Sequence, residues 1–325
     1  MSDNVENMAY YGATPWHKLG VPVQGAMTAK EAIVLAGLDW EVDVYPALIG
    51  NVPIKDGPST SADFIKDKFV IARGTDGEVY NVVSSKYVPI QNWQCFEFFD
   101  AVVQSDAAKY HTAGSLKKGG VIWMLAKLNG IVEIANERVD KYLLLTNSHN
   151  GSFALQMFWT PIRVVCNNTL STALQGKGGQ TFYSRHTTNI QSRVDSAQEI
   201  LGLATKFYDM WTEEAEKLAI DRLLEKDIPA FLKASFGYEQ DQDLQELRQP
   251  TIDAMERVKE LVYVGAGMQN PAIQGTKWAG YNALAEYIDH EKIGKGGSDD
   301  SRLNSAWFGV GSEIKKRGWD HLLRN

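Results

Sequence analysis

Residues 141–194 read KYLLLTNSHNGSFALQMFWTPIRVVCNNTLSTALQGKGGQTFYSRHTTNIQSRV, a stretch of 54 residues without a single Asp or Glu. The whole chain has 40 acidic residues in 325, so about six or seven would be expected here. Five fixed positive charges give the stretch a net charge of +5, which leaves −12 (−7 − 5) for the rest of the chain. A segment without carboxylates and rich in Asn, Ser, Thr and aromatics is typical of a place that holds an anionic or polar partner. We expect it to form one continuous surface.

The same stretch predicts two strands followed by a helix. Tyr142–Thr146 and Ser152–Phe158 are rich in apolar and aromatic residues and flank the turn sequence SHNG. Thr160 followed by Pro161 is a strong helix start, because Pro has no N–H and the first helical position needs no donor. We therefore predict a helix from Thr160 to Leu174, which ends before Gly176.

The rest of the chain divides at about residue 190. Short β-type runs before it are interrupted by helices, one capped by Thr28 and ending at Gly37, and one that follows Asn92. The other predicted strands are Phe69–Arg73 and Val79–Ser84, which form a hairpin, and Val121–Leu128 and Gln180–Tyr183. Beyond residue 190 apolar residues recur at spacings of three and four residues, which is typical of helices. The sequence thus predicts an α+β fold: an antiparallel β-rich core with inserted helices over residues 1–190, then a helical region over 191–325.

The absence of several sequence motifs argues against several classes of function. The pattern G-x-x-x-x-G-K-[ST] is absent, no G-x-G-x-x-G follows a strand, and neither H-x-x-x-H nor C-x-x-C occurs. We expect no metal and no cofactor. Cys95 and Cys166 lie in apolar contexts and are predicted to be free thiols in a reducing compartment. The longest apolar runs fall far short of the ~20 residues that span a bilayer, so a cytoplasmic protein without membrane contact is expected.

Arg163 is the residue that most strongly indicates an anion site. In the first turn of the predicted helix, its charge would add to the positive helix dipole unless an anion were present. Asn167 and Asn168 would extend a polar stripe along the helix. The FYSRH motif adds Arg185 and His186, which could contact bases or phosphates; equally, this motif could be an edge strand with Phe182 facing the core. Further charge would come from Lys117, Lys118 and Lys177. The alternative is that Arg163 pairs with a carboxylate of the helical region while the Asn side chains face water.

The turn between the two strands supplies the other candidate residues: His149, Asn150 and Ser152. Asn150–Gly151 is explained by a hairpin turn alone. His149 could act as an acid or base, but the sequence assigns no nucleophile to it. We therefore predict that His149 forms hydrogen bonds or contacts a ligand rather than catalysing a reaction, and that Asn150 and Ser152 are further candidates for ligand contact.

Several blocks together resemble the phage/plasmid-like protein family, a domain of unknown function found on mobile elements. They are YYGATPWHKLG (Tyr10–Gly20), KYVPIQNWQCFEFFD (Lys86–Asp100), LLLTNSHNGSFAL (Leu143–Leu155), TPIRVVCNNTLSTAL (Thr160–Leu174), SRHTTNIQSRV (Ser184–Val194) and SAWFGVG (Ser305–Gly311). The family's usual SHDGS is SHNGS here, so Asn150 replaces an acidic residue but preserves a turn. The resemblance implies a phage or prophage setting.

The predicted plan of a β-meander followed by a helix with a polar stripe is also similar to phage single-strand annealing recombinases. Combined with the carboxylate-free stretch, it favours a non-catalytic protein of recombination or replication that binds single-stranded DNA or another polyanion. The net charge of −7 opposes this, although a homo-oligomer that encloses a basic groove would reconcile the two. The alternatives are a hydrolase or nuclease that uses His149 and the Asn-rich helix, and a virion or host-takeover interaction protein.

Overall fold

The computed structural model describes residues 8–11, 21–23, 28–50, 55, 57, 62–96, 108–163, 168–169, 182–184, 197–243, 246–292 and 299–325. Strands occupy the first part of the described chain and helices the last. The strands are β1 (Met8–Tyr11), β2 (Val21–Val23), β3 (Val42–Ile49), β4 (Asp63–Arg73), β5 (Val79–Ser84), β6 (Ala108–Leu116), β7 (Val121–Ile134), β8 (Glu137–Ser148), β9 (Leu155–Arg163), β10 (Asn168–Thr169) and β11 (Phe182–Ser184). The α-helices are α1 (Ala29–Leu35), α2 (Ala197–Ile220), α3 (Ile228–Phe236), α4 (Gln249–Val264), α5 (Lys277–Glu286), α6 (Asp299–Phe308) and α7 (Val310–Arg324). The predicted α+β class is confirmed.

The larger of two sheets has the strand order β10-β9-β8-β7-β6-β1-β2, and β11 pairs with the same edge of β9 as β10 does. Its centre is an antiparallel meander of β6, β7, β8 and β9. The β7–β8 hairpin turns through Ala135 and Asn136, which both have positive φ, as a two-residue turn of this kind requires.

Both faces of this meander are buried, and that explains the missing carboxylates. Met124, Leu145 and Met157 alternate with Trp123, Leu144 and Phe158, and the two sets belong to separate apolar clusters on opposite faces. Every residue from Tyr142 to His149 and from Leu155 to Pro161 is buried. A charge at such positions would be costly. The expectation of one continuous surface is therefore wrong for the described part of the stretch.

The predicted helix from Thr160 to Leu174 is also wrong. Residues 160–163 complete β9, and Asn168–Thr169 form β10, which pairs with Ile162 and Arg163. Pro161 faces Lys141 of β8. On the other edge of β9 it lies between the segment that pairs with β11 and the segment that pairs with β10. At this position neither short strand requires a hydrogen bond from the N–H that proline lacks. Cross-strand packing on two buried faces overrides the local helix signal.

The smaller sheet has the order β3-β4-β5 and contains the predicted hairpin. Its edge strand β3 is partly covered by a side chain: Gln91 Oε1 accepts a bond from Val42 N–H (2.8 Å), and Gln91 Nε2 donates one to Val42 C=O (2.9 Å). The primary amide thus imitates one residue of a neighbouring strand. Further along the same edge, Pro46 has no N–H to offer.

The predicted helix starts near this sheet have different outcomes. Thr28 forms the expected capping box with Glu31, and α1 ends before Gly37, which has a φ of 60°. Residues 92–96 are helical as expected, but Asn92 does not cap them. Its Nδ2 donates instead to the carbonyl groups of Leu38 and Trp40.

The helical region packs onto the large sheet and onto itself. The Tyr208 hydroxyl of α2 accepts from Tyr142 N–H (2.8 Å) and donates to Tyr142 C=O (2.7 Å), which ties α2 to β8. On the opposite face of the sheet, Trp307 of α6 packs edge-on against Trp123. Among the described helices, none is long and apolar enough to cross a membrane.

A buried ion pair joins the last elements of the helical region. Lys315 Nζ of α7 lies 2.8 Å from Asp289 Oδ1, and the two side chains are 0% and 2% exposed. Asp289 belongs to a π-helical turn, Tyr287–Glu291, that continues α5. The wider turn places the carboxylate inside the protein.

Candidate functional site

His149 lies in a closed polar and aromatic cluster between the two sheets. It is fully buried, and its Nε2 lies 2.8 Å from Asn92 Oδ1. The rings of Trp40 and Tyr80 both pack against it, with centroids 5.5 Å and 5.8 Å from that of His149 and 6.0 Å from each other. These contacts fix the imidazole and keep it away from solvent. The arrangement fits a residue that joins the sheets better than a general acid or base, which must reach a substrate.

The β6–β7 turn lies directly against the turn that follows His149. The backbone N–H groups of His149 and Asn150 both donate to Gly120 C=O, at 2.9 and 3.2 Å. Lys117, Lys118 and Gly119 all have positive φ, and a Cβ on Gly119 would lie 2.6 Å from the Tyr80 hydroxyl. The turn is therefore shaped by close packing against the smaller sheet.

The Asn150–Ser152 segment forms a turn that is closed by the Asn150 side chain rather than the predicted type I′ hairpin turn. Asn150 Oδ1 accepts from Ser152 N–H at 3.0 Å and from Ser152 Oγ at 2.6 Å. Six residues join β8 to β9, so the connection is longer than the two-residue hairpin that Asn150–Gly151 suggested. The structure thus brings Lys117, Lys118 and the three predicted ligand-contact residues to one end of the large sheet.

Arg163 lies at the opposite end of that sheet. It is the last residue of β9, about eight residues or ~26 Å along the strand from Leu155, and its backbone lies opposite Val139 and Asn168. The predicted residues therefore do not form one site. Asn167, Lys177, Arg185 and His186, as well as Cys166, lie outside the described residues.

The end that contains Arg163 carries an excess of positive charge. The beginnings of β6 and β8 and the ends of β7 and β9 meet here, and they contain five cationic side chains and three carboxylates, a local net charge of +2 in a −7 chain. The cationic residues are Lys109, Lys127, Arg138, Lys141 and Arg163, and the acidic ones are Glu133, Glu137 and Asp140. We call this region the basic end.

Four residues of the basic end form one row across four strands. Lys109 of β6 faces Lys127 of β7, Lys127 faces Tyr142 of β8, and Tyr142 faces Thr160 of β9. Residues directly opposite on paired strands point to the same face, so the row is continuous, and two like charges stand opposite one another at its start. We call it the cross-strand row. Tyr142 and Thr160 are buried, whereas Lys109 is exposed.

An ion-pair network lies beside the row. Asp140 contacts Lys127 Nζ through one carboxylate oxygen and Arg138 Nε through the other, the second contact at 2.8 Å. One buried carboxylate thus holds two cations, and the side chains of Lys127 and Arg138 remain 33% and 51% exposed. The network positions positive charge at the surface.

His111 completes this side of the sheet. It occupies the β-bulge between Tyr110 and Thr112, and its ring meets the Tyr142 ring edge-on at 5.1 Å. The pKa of His111 is lowered to about 4. Burial is the main cause, the nearby charge of Lys127 also lowers the pKa, and Asp140 raises it by a smaller amount. His111 is therefore neutral at pH 7, in surroundings of positive potential.

The sequence predicted Arg163 but missed its neighbours. Lys109, Lys127 and His111 lie outside the carboxylate-free stretch in sequence, and only strand register brings them next to it. Alternation along Val121–Leu128 could have placed Lys127 on a defined face, but no signal shows which residue of β6 lies opposite it. Within the described ranges, no group of three or more His, Cys, Asp or Glu residues is arranged to hold a metal ion.

Comparison with known proteins supplies a family. The family described as "Domain of unknown function (DUF932)" matches residues 79–307, more than two thirds of the chain. The chain belongs to the DUF932 family. The matched range of this DUF932 protein covers the strands of the basic end, Tyr80, Asn92 and His149 of the His149 cluster but not Trp40, and helices α2 to α5. No curated protein and no solved structure matches it.

Proposed function

We propose that this DUF932 protein binds single-stranded nucleic acid without catalysing a reaction, as part of the recombination or replication machinery of a phage, in the host cytoplasm. The basic end is the proposed contact surface. Arg163 and the cations beside it would bind phosphates there. A homo-oligomer would align several such ends in one groove.

A single observation carries the proposal: Lys109 and Lys127 face one another on adjacent strands, within a region of net charge +2. Like charges directly opposite are unfavourable in a sheet, so an anion that lies between them would stabilise the arrangement. Arg138 and Lys127 are partly exposed while they contact Asp140, so their remaining N–H groups can face a ligand. The similarity to annealing recombinases gives no further support, because it depended on the predicted helix from Thr160, and the described residues there form β9 and β10 instead.

The position of His149 favours binding over the hydrolase or nuclease alternative. Its imidazole is buried, hydrogen-bonded to Asn92 and packed against two aromatic rings. A nuclease that used this residue would first have to open the junction between the two sheets. The Asn-rich helix required by that alternative is not present at residues 160–163 or 168–169.

The test is a titration of fluorescent oligothymidylate, followed by anisotropy at two salt concentrations. We expect Arg163→Ala to weaken binding by about tenfold, in line with one charge-assisted contact, and to reduce the salt dependence by about one counterion. The matched control is the pair Lys117→Ala and Lys118→Ala at the other end of the sheet, which we expect to have a smaller effect. Wild-type protein that fails to bind the oligonucleotide at low salt would disprove the proposal.

The smaller sheet favours a second candidate, a protein-interaction role. Large apolar side chains on and beside its strands are exposed, with Phe64 at 66% and Leu48 at 58%. The others are Val44, Tyr45, Ile49, Ile65, Val79 and Val82. Contiguous exposed apolar surface usually marks an interaction site. Normal oligonucleotide binding by a Phe64→Ser variant, together with loss of self-association or of virion incorporation, would assign the interaction to this sheet.

A further inference from the structure

The smaller sheet has one face packed on the protein and one face exposed. Ile71 of β4 is fully buried, and Asn81, which faces it on β5, donates from Nδ2 to Asn150 C=O (3.2 Å) at the end of the large sheet. Side chains alternate along a strand, so the neighbouring row points the other way. That row consists of Tyr45, Val70 and Val82, which lie directly opposite one another on β3, β4 and β5. We call the face that carries it the outer face.

The outer face is exposed although its central row is apolar and aromatic. Tyr45 is 50% and Val82 is 53% exposed, and Val79, which pairs with Ala72, is 59% exposed. The Tyr45 hydroxyl already donates to Asp43 Oδ2 (3.2 Å), so the ring can be buried with its polar atom hydrogen-bonded. Contiguous apolar surface of this kind is typical of a contact with another molecule.

A side-chain amide occupies main-chain groups at both edges of the sheet. Gln91 bonds the N–H and the C=O of Val42 on β3, and Val82 N–H on β5 donates to Asn81 Oδ1 (2.8 Å). An incoming strand would have to displace one of these amides. A partner should therefore pack on the outer face rather than extend the sheet.

The charges beside the central row indicate which partner fits. Asp43 lies two residues from Tyr45 along β3, and Lys68 lies two residues from Val70 along β4, on the other side of the row. Both therefore share the outer face, and ~13 Å of strand separates them within one chain. A two-fold axis along the row would reverse the strand direction of a second copy and bring the Lys68 of each chain to the Asp43 of the other. The outer face is thus complementary to itself in charge.

We propose that the outer face pairs with the same face of a second copy of the chain in a two-fold symmetric dimer. The two central rows pack on one another as sheets do in a sandwich, and two Asp43–Lys68 contacts between the chains flank them. Three strands of about five residues cover roughly 14 Å by 17 Å, which is less than the ~800 Å² per partner of a standard interface. The dimer is therefore weak, with a dissociation constant in the micromolar range. It gives the protein-interaction role of this sheet a partner and does not rest on the proposed nucleic-acid binding.

The first experiment is sedimentation velocity of the full-length protein at about 5 to 500 μM, a range that brackets a micromolar affinity. We expect a reversible equilibrium between monomer and dimer. Val82→Glu places a charge inside the contact and should weaken the dimer by about tenfold or more. The matched control is Ile220→Glu at the end of α2, where the side chain is 78% exposed, and this change should leave the equilibrium unaltered.

The second experiment exchanges the charges on the outer face. Asp43→Lys and Lys68→Asp should each weaken the dimer by about tenfold, because either change turns two attractive contacts of the symmetric interface into two repulsive ones. The double variant should restore the dimer, since complementary charges with exchanged signs then meet. Asp43 is half-buried and Lys68 is exposed, so these variants decide the matter even if Val82→Glu does not fold. A purely structural effect of one change would not be reversed by the other.

The outcomes separate the two proposals. Wild-type protein that sediments as a monomer over the whole range would disprove the dimer and leave a different protein as the occupant of the outer face. A dimer that a folded Val82→Glu variant does not weaken, or that the double charge exchange does not restore, forms through another surface and also disproves the proposal. A dimer at the outer face without oligothymidylate binding supports this interface and disproves the proposed function, whereas oligothymidylate binding by a strictly monomeric protein does the reverse.

Discussion

Replacement of Lys315 by Met should be among the most destabilising single changes in the helical region. The Lys315–Asp289 pair is 0% and 2% exposed with a 2.8 Å contact, so Lys315→Met leaves a carboxylate buried without its cation. Breaking a buried pair in this way costs about 3–5 kcal/mol. Unfolding entropy of about 2.1 cal/mol/K per residue amounts to about 0.7 kcal/mol/K for this chain. The melting temperature should therefore fall by about 4–7 °C, as measured by circular dichroism or calorimetry.

Two comparison variants isolate the cause. Glu260→Gln breaks an exposed pair with Arg257, whose side chains are 38% and 59% exposed, and should cost less than about 1 kcal/mol. The double variant Asp289→Leu with Lys315→Met removes both charges and should recover most of the lost stability, because no lone charge remains. If Lys315→Met costs no more than Glu260→Gln, or if the double variant is as unstable as the single one, the buried charge is not the cause.

Three further predictions concern single side chains. Tyr208→Phe removes the hydroxyl that bonds both backbone groups of Tyr142 and should cost about 2 kcal/mol in urea unfolding, whereas Tyr263→Phe, on a side chain that is 59% exposed, should change stability very little. The pKa of His111 is about 4 in the folded protein and 6.5 in its unperturbed state. Its contribution to the free energy of unfolding is therefore complete above pH 6.5 and is lost as the pH falls towards 4. His111→Gln should reduce the loss of stability between pH 6.5 and pH 4 by on the order of 2 kcal/mol, after a discount for solvent screening. Burial raises the pKa of the Cys95 thiol, so Cys95 should react with an aromatic disulfide reagent only after denaturation; rapid labelling of the native protein at this position would contradict it.

Local patterns in the sequence predicted the parts of the fold that depend on local structure. The capping box at Thr28, the hairpin that contains β5 and the helical region beyond residue 190 follow from caps, turns and periodicity. Thr160–Pro161 led to a wrong helix prediction, because the same two residues can begin a helix or stand near the end of a strand in a sheet that is buried on both faces. The residues LQMFWTPI of β9 pack against apolar clusters on both faces of the sheet. The segment therefore lacks the alternation of apolar and polar residues by which a strand is recognised in a sequence.

The candidate site was predictable only in part. Arg163 was identified by its charge, but the reason given, a helix dipole, does not apply to a strand. The other residues of the basic end depend on register, on the bulge at His111 and on the pairing of β6 with β7, and none of these is encoded by a local motif. The buried state of His149 likewise depends on a sheet that lies far away in sequence. Long-range pairing, rather than residue type, decided which chemistry each side chain can perform.

The Gln91 amide on the edge of β3 has a consequence for the protein at high concentration. An open strand edge is a template on which a second chain can add as a further strand, which leads to aggregates. Gln91 occupies the outward N–H and C=O of Val42, and Pro46, four residues further along β3, cannot donate. An incoming strand could therefore not accept a hydrogen bond from residue 42 or from residue 46, the two ends of a short segment of β3. The exposed apolar sheet can therefore remain in solution without recruiting further strands at this edge, and Gln91→Ala should be recognised by its faster aggregation rather than by a lower melting temperature.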